Sequence, residues 1–268
     1  MARDPVAERS LRRITAEGAT DVRDRLVVEE PLEIRLGDEP VAVVMRTPGD
    51  DKALAVGFLF SEGILRDPDQ VLSVAYCTDV EVEAAGNIVR VLAANPDRDA
   101  FEAARRDVYA SSSCGLCGKT TLDAVRVMAP LTTPITLSAS VLSGIPDALR
   151  GGQKLFAETG GLHAAGLFRP DGTLRLIRED VGRHNACDKV TGTFAIREEW
   201  PLTGHVLGLS GRASFEMVQK AAMAGIPAIV AVSAPSSLAV DYAAEAGMTL
   251  VGFARPGSMN VYCGDVQL

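Results

Sequence analysis

The sequence predicts an α/β protein: a layered α/β domain preceded by a smaller α+β domain. Three observations lead there. From about residue 134, short apolar strand signals alternate with helical ones across glycine or proline connections, the pattern of a sheet with a parallel portion covered by helices. Before that point, paired strand signals surround one short helix. The chain's 268 residues are enough for one large core or two smaller ones.

Residues 1–25 alternate arginines and acids without helical periodicity and read as a flexible arm, with order expected from about Leu26. Leu32-Glu33-Ile34-Arg35-Leu36 alternates as a half-buried strand does. Gly37-Asp38-Glu39-Pro40 turns it into a second strand over 41–45. Pro48-Gly49-Asp50-Asp51 caps a short helix with Leu54, Phe58 and Leu59 on its apolar face and Gly63 as its stop. Strands over 71–76 and 88–92 flank a Gly86-Asn87 turn. The domain limits are set at 26–110 for this α+β part, 111–133 for a cysteine-bearing loop and the helix after it, and 134–268 for the α/β part. In the last part, 146–158 reads as a helix ended by Gly160-Gly161. Strands 163–168 and 174–177 flank the Pro170-Asp171-Gly172 turn. A helix over 183–196 follows, then strand 205–209, helix 214–224, strand 228–232, helix 237–246 and strand 249–253.

Apolar residues are 47% and charged residues 23%, the balance of a globular chain. The net charge of -8 argues against general nucleic-acid binding. It leaves room for an anionic ligand in a local basic site. The first 25 residues lack an apolar h-region. No run approaches the ~18 apolar residues of a membrane span; the longest, 226–232, suits a buried strand. Five cysteines, an odd number without a secreted spacing pattern, point to a reducing cytoplasm.

The densest chemical signal is Ser111-Ser112-Ser113-Cys114-Gly115-Leu116-Cys117-Gly118-Lys119. Two thiols sit three residues apart in a small, polar, glycine-flanked stretch that has no bulk to bury them. Lys119 and the amides of a following helix would lower a thiol pKa. A zinc half-site, a redox dithiol, a persulfide-bearing sulfur carrier and a pair of ordinary loop cysteines all remain open for Cys114 and Cys117. Cys77, Cys187 and Cys263 read as packing residues.

Four further segments stand out. His163 follows Gly160-Gly161 at a strand start, where it faces either a cleft or the core. The run 178–189 is rich in charge, and it places Arg183, His184 and Asn185 at a helix N-terminus, where free amides favour an anion such as a phosphate or a pterin. A solvated, self-paired charge run is the plain alternative. Ser210-Gly211-Arg212-Ala213-Ser214 joins a strand to a helix where α/β proteins bind ligands, although it is neither a Walker sequence nor a G-x-G-x-x-G fingerprint. Phe253-Ala254-Arg255-Pro256-Gly257-Ser258 leaves the last parallel-type strand, with Arg255 placed to meet an anion or merely to flank a turn. Arg178, Arg183, Arg212 and Arg255 together mark a focused anion site in an acidic protein.

Residues 112–119, 178–189 and 211–216, with 29–35, 46–50 and 232–237, closely resemble the formate dehydrogenase accessory sulfurtransferases, the FdhD family. The resemblance runs over about 27–263. It implies a C-terminal cytidine-deaminase-like α/β domain, a homodimer, and a sulfur carrier. Such a carrier accepts sulfur from a cysteine desulfurase as a persulfide. It delivers the sulfur to a bound molybdenum bis-guanine-dinucleotide cofactor destined for formate dehydrogenase. Cys114 matches the persulfide-bearing cysteine and Cys117 its neighbour; 253–258 matches the cofactor-contacting stretch, to which Arg212 and His184 are added as contacts. Ser258 departs from the basic residue of the family's pattern. No metal ion is expected to be held directly, and neither nucleic acid nor membrane is expected as a partner. The rival readings are a zinc nucleobase deaminase, which needs His-x-Glu before Pro-Cys-x-x-Cys, a thioredoxin-like reductase, and a chaperone that binds the cofactor without transferring sulfur.

Overall fold

The computed structural model describes residues 4–78, 85–105 and 131–268. Strands β1 (Val6–Thr15) and β2 (Gly18–Val27) pair antiparallel in unbroken register, from Val6 opposite Val27 to Thr15 opposite Gly18. The segment expected to be a flexible arm is therefore a hairpin, and order begins well before Leu26. Helical spacing was the wrong signal for it. A ribbon wet on both faces shows no apolar alternation and is specified by cross-strand pairs, here Arg12–Asp21 at 3.4 Å and Arg23–Glu8 at 3.5 Å.

A four-stranded sheet follows. It is built from β3 (Glu30–Leu36), β4 (Glu39–Arg46), β5 (Val71–Tyr76) and β6 (Ile88–Ala93) in the order β4-β3-β6-β5. Only β3 and β6 run parallel. Helix α1 (Asp51–Ser61) and the short α2 (Arg98–Ala104) cover one face, burying Leu32, Ile34, Leu54, Leu59, Val89 and Phe101.

The second large sheet has six strands in the order β12-β11-β10-β9-β7-β8. They are β7 (His163–Phe168), β8 (Leu174–Asp180), β9 (Val206–Leu209), β10 (Ala228–Ala231), β11 (Thr249–Arg255) and β12 (Ser258–Cys263). Strands β9, β10 and β11 are parallel, and the outer ones antiparallel. Helices α5 (Arg183–Ile196), α6 (Phe215–Met223) and α7 (Ser237–Glu245) cover one face; α3 (Ala139–Gly152) covers the other through Leu142, Ile145 and Leu149. The helix expected over 146–158 is two: α3 starts earlier and α4 (Lys154–Thr159) follows a break at Gln153. Pro146 lies inside α3 rather than opening it. The i, i+3, i+7 row of Leu142, Ile145 and Leu149, packed on the sheet, carries the helix through the proline.

Helix α1 is buried on ten of its eleven residues because α5 covers the side that the four-stranded sheet leaves open. The two helices cross at Gly57 and Gly192. A Cβ added at Gly57 would lie 2.7 Å from the Asp188 carbonyl carbon, and one at Gly192 would lie 2.8 Å from that of Ala53. Glycine is what allows the two backbones to touch. The run 178–189 is not the solvated face that its charge implies, since Asp180, Asn185, Asp188 and Lys189 are all buried. Each is spent on a partner, as buried charge must be. Lys189 Nζ lies 2.7 Å from Asp180 and donates to the Thr47 carbonyl at 2.8 Å. Asp188 takes two bonds from Lys220 Nζ, at 2.8 and 2.9 Å, and one from the Ser61 hydroxyl at 2.6 Å. Burial alone would lower the Lys220 pKa, but the Asp188 and Glu62 carboxylates outweigh it and the net shift is upward.

Candidate functional site at the carboxyl edge of the parallel strands

The carboxyl ends of β9, β10 and β11 open onto one edge, and antiparallel pairing brings the start of β7 and the end of β8 to the same edge. Ala165 pairs with Leu209 and His163 with Asp180. His163, the 210–214 loop, the N-terminus of α5 and the exit of β11 therefore share the place where open α/β sheets bind ligands.

The loops are stitched side by side by the backbone. Ser233 N–H donates to the Gly211 carbonyl at 3.4 Å, and Phe253 N–H donates to the Ser233 carbonyl at 3.2 Å. Ser210 Oγ accepts from Ala164 N–H at 2.8 Å, tying the β9 exit to β7. From this frame β11 runs on past the end of β10 and turns at Pro256-Gly257 into β12, with Gly257 at φ 76°. Between Gly252 and Arg255 the pairing slips, and Phe253 takes φ 50° and is 44% exposed. A bulky residue in that region is strained by about 1–3 kcal/mol. The positive φ falls where the β11–β12 pairing is irregular. Arg255 Nη1 donates to the Val232 carbonyl at 2.5 Å and to its own neighbour's, Ala254, at 2.7 Å. Ala254 is wholly buried, while Pro256, Gly257 and Ser258 are exposed at the tip.

At the other end of the edge, His184 Nε2 lies 2.8 Å from Glu216 Oε2, with the two side chains 12% and 13% exposed. The distance is that of an ion pair, but the ring is out of hydrogen-bond alignment, and His184 Nε2 remains a buried polar atom without a hydrogen bond. Arg183 Nε and Ser214 Oγ share that condition. Three such atoms at adjoining helix starts are a concentration that calls for an explanation, and a ligand supplies one. The starts of α5 and α6 also lack side-chain caps, so their free amides add to the positive field. Burial, and then the charges of Arg183, His184 and Arg212, hold the His163 pKa below its usual value. Arg178 is paired with Asp50 at 3.1 Å.

The edge thus unites His163, Arg183, His184 and Arg212, with the 253–258 hairpin beside them through Ser233. Ser210 and Ser214 bound the 210–214 segment singled out in the sequence but had no contact assigned to them, and Glu216 entered only through the resemblance over 211–216. An acid in the first turn of α6 is the ordinary complement of a helix dipole, and only the fold sets it against His184. Cys114 and Cys117 lie outside the described residues. Of the other cysteines, Cys187 is fully buried and its thiol pushed up to about 12, chiefly by burial and then by Asp188. Cys263 is also shifted upward by burial, and Cys77 is buried. Among the described residues no group of three or more His, Cys, Asp or Glu is placed to hold a metal ion, and no helix is long and apolar enough to cross a membrane.

Residues 27–268 match the model of the FdhD/NarQ family. A protein of Streptomyces coelicolor named sulfur carrier protein FdhD is 54% identical over 255 residues, covering 92% of this chain and 90% of its own. A protein of the same name from Thermoplasma volcanium is 43% identical over 263 residues, covering 96% and 93%. The crystal structure of a protein described as a formate dehydrogenase accessory protein, from Desulfotalea psychrophila, superposes with a TM-score of 0.77 at 25% identity, covering 97% of this chain and 98% of that one. With its whole length beyond the first hairpin matched, the chain belongs to the FdhD/NarQ family.

Proposed function

We propose that this chain is a sulfur carrier for formate dehydrogenase. Cys114 takes sulfur from a cysteine desulfurase as a persulfide. The sulfur passes to the molybdenum bis-guanine-dinucleotide cofactor, held as cargo on the carboxyl edge, before the cofactor enters formate dehydrogenase. The observation that carries this reading is the shared name of relatives 43–54% identical over nearly the whole chain. The cysteines support it. Three of the five are packed, two of them with raised thiol pKa values, so thiolate chemistry falls to Cys114 and Cys117. The edge supports the cargo: Arg183, Arg212, uncapped helix starts and orphaned donors suit phosphate oxygens, and the exposed Phe253 ring suits a stacked base. Cys117 releases the sulfur by closing a disulfide with Cys114, the two thiols supplying the electrons that reduce it to sulfide. The reading also places the chain in the cytoplasm as a homodimer and treats residues 134–268 as cytidine-deaminase-like. The order β8-β7-β9-β10-β11 between helical layers supports that last point.

The test is intact-protein mass spectrometry after incubation with a cysteine desulfurase and cysteine. A gain of about 32 Da on the wild type and none on Cys114→Ala is expected. No gain on the wild type, with an active donor and with cofactor still bound, would replace the carrier by a cofactor-binding chaperone. A gain that survives Cys114→Ala moves the persulfide to Cys117.

A further inference from the structure

The turn into α5, which presents Arg183 and His184, is held from inside the protein. Asp180 is wholly buried at the end of β8. Its Oδ1 accepts from Gly182 N–H at 2.8 Å and from Asn185 Nδ2 at 2.9 Å, which closes the turn on itself. Its Oδ2 lies 2.7 Å from Lys189 Nζ and accepts from Thr47 N–H at 3.1 Å. Thr47 is buried in the connection between β4 and α1. All three of its polar groups cross to this turn and its helix. Besides the amide, its hydroxyl oxygen accepts from Val181 N–H at 3.1 Å and its carbonyl accepts from Lys189 Nζ at 2.8 Å. Asn185 Nδ2 also donates to the Met45 carbonyl at 2.7 Å. These contacts bracket Arg183 and His184, and neither of those side chains takes part in them. The connection that supplies them is itself rigid. Arg46, wholly buried, donates to both carboxylate oxygens of Asp51 and to Asn87 Oδ1, each at 3.0 Å. Asp51 also accepts from the Tyr76 hydroxyl at 3.0 Å. A buried two-pronged pair of this kind fixes geometry as well as energy, so Thr47 is held firmly on the four-stranded sheet.

We infer that Thr47 is a positioning residue for the carboxyl-edge site: through Asp180 and Val181 it sets the angle at which α5 presents Arg183, His184 and its free amides to the ligand. The four-stranded sheet then takes part in binding without touching the ligand. Donors already aimed at an anion bind it more tightly than donors that must be ordered first. Space filling alone does not account for the hydroxyl, because valine has the same branched shape; what valine lacks is the acceptor for Val181 N–H. The inference rests on the reading of this edge as the cargo site.

Calorimetric titration of the full chain with GDP tests it in Thr47→Val, Thr47→Ser and Val91→Ala, well below the unfolding temperature of each. Thr47→Val loses the acceptor and Thr47→Ser keeps it. Val91→Ala hollows the core of the same sheet opposite Leu36, at the far end of β3 from Arg46, and controls for lost stability. Thr47→Val is expected to bind GDP roughly five- to tenfold more weakly, with Thr47→Ser and Val91→Ala close to wild type. A second readout needs no ligand. The chain has three histidines, so their ring-proton resonances can be followed separately. That of His184 should move in Thr47→Val and return in Thr47→Ser, while that of His205 stays. A Thr47→Val variant that binds like wild type overturns the inference, as does a Val91→Ala variant weakened just as much. A wild type that takes up no GDP sinks the cargo reading instead, and the His184 resonance then decides: unmoved in Thr47→Val, it overturns the positioning as well.

Discussion

The crossing of α1 and α5 sets up a sharp test, because one methyl group should separate two halves of the protein. In Gly57→Ala the new carbon lies 2.7 Å from the Asp188 carbonyl carbon and 2.9 Å from its Cα, where ordinary contact begins at 3.4 Å. The obstacle is backbone, so no rotamer change relieves it, and the helices must part by about 0.7 Å or more. A gap of that size forfeits roughly a quarter to a half of the dispersion well for each atom pair across the crossing. Overpacking typically costs about 1–3 kcal/mol; spread along a helix buried on ten of eleven residues, the expected loss is about 2–4 kcal/mol. That net figure already includes the gain of up to ~1 kcal/mol from replacing glycine in a helix. Gly144→Ala in α3 is the control: nothing lies within 4 Å of its added carbon, so only the propensity gain operates and stability should rise by ~0.5–1 kcal/mol. Urea unfolding of both variants measures the difference. If Gly57→Ala unfolds at the midpoint of Gly144→Ala, the close approach of the two helices is wrong.

Breaking the buried Asp188–Lys220 pair by Lys220→Met leaves an unpaired carboxylate and should cost about 3–5 kcal/mol, most of it recovered in Asp188→Asn/Lys220→Met; a denaturant double-mutant cycle without coupling would refute the pairing. The His163 pKa is lowered in the folded state from 6.5, so the unfolded chain binds that proton first. Stability should therefore fall as pH drops from about 6.5 through the lower folded value, and His163→Gln should flatten that part of the profile in pH-dependent urea unfolding. Native protein treated with iodoacetamide near pH 8 should show no adduct on Cys187, whose thiol is pushed up to about 12; peptide mapping that finds one would contradict its burial. Phe253→Gly removes the φ 50° strain and should stabilise the fold by about 1 kcal/mol. It should also weaken binding of a guanine nucleotide several-fold by calorimetry, and unchanged binding would remove the ring from the site.

Much of the α/β part was legible in its sequence. Its strands are short apolar runs and its helices begin at small or polar residues, both local signals, and α5 was bounded correctly at Arg183 and Ile196. What failed had non-local causes. The β1–β2 ribbon has no inner face to mark. Strand β12, Ser-Met-Asn-Val-Tyr-Cys, is mostly exposed and is fixed by pairing with β11. Pro146 sits inside a helix because the sheet beneath holds Ile145 and Leu149. The candidate site was half legible: Arg183 and Arg212, at a helix start and a strand exit, were singled out from the sequence. Its other half was hidden in pairings such as His184 with Glu216, which lie on different helices. The charge run misled for the same reason. Nothing in 178–189 reveals that Lys189 reaches back to Thr47, a residue 142 positions earlier.

That reach bears on how the chain is made. Ser61 and Asp188 hydrogen-bond across 127 positions, so α1 leaves the ribosome long before α5 exists to cover it. At about 5–20 residues per second the delay is roughly 6–25 s. Through that interval the nascent N-terminal half presents the bare flank of α1, with Gly57 and Ser61 on it, to the surrounding solution. The first sheet can assemble at once, but its helix is finished on one side only until translation passes Ile196. A ribosome stalled before that point would hold a half-covered helix, a ready substrate for chaperones and proteases.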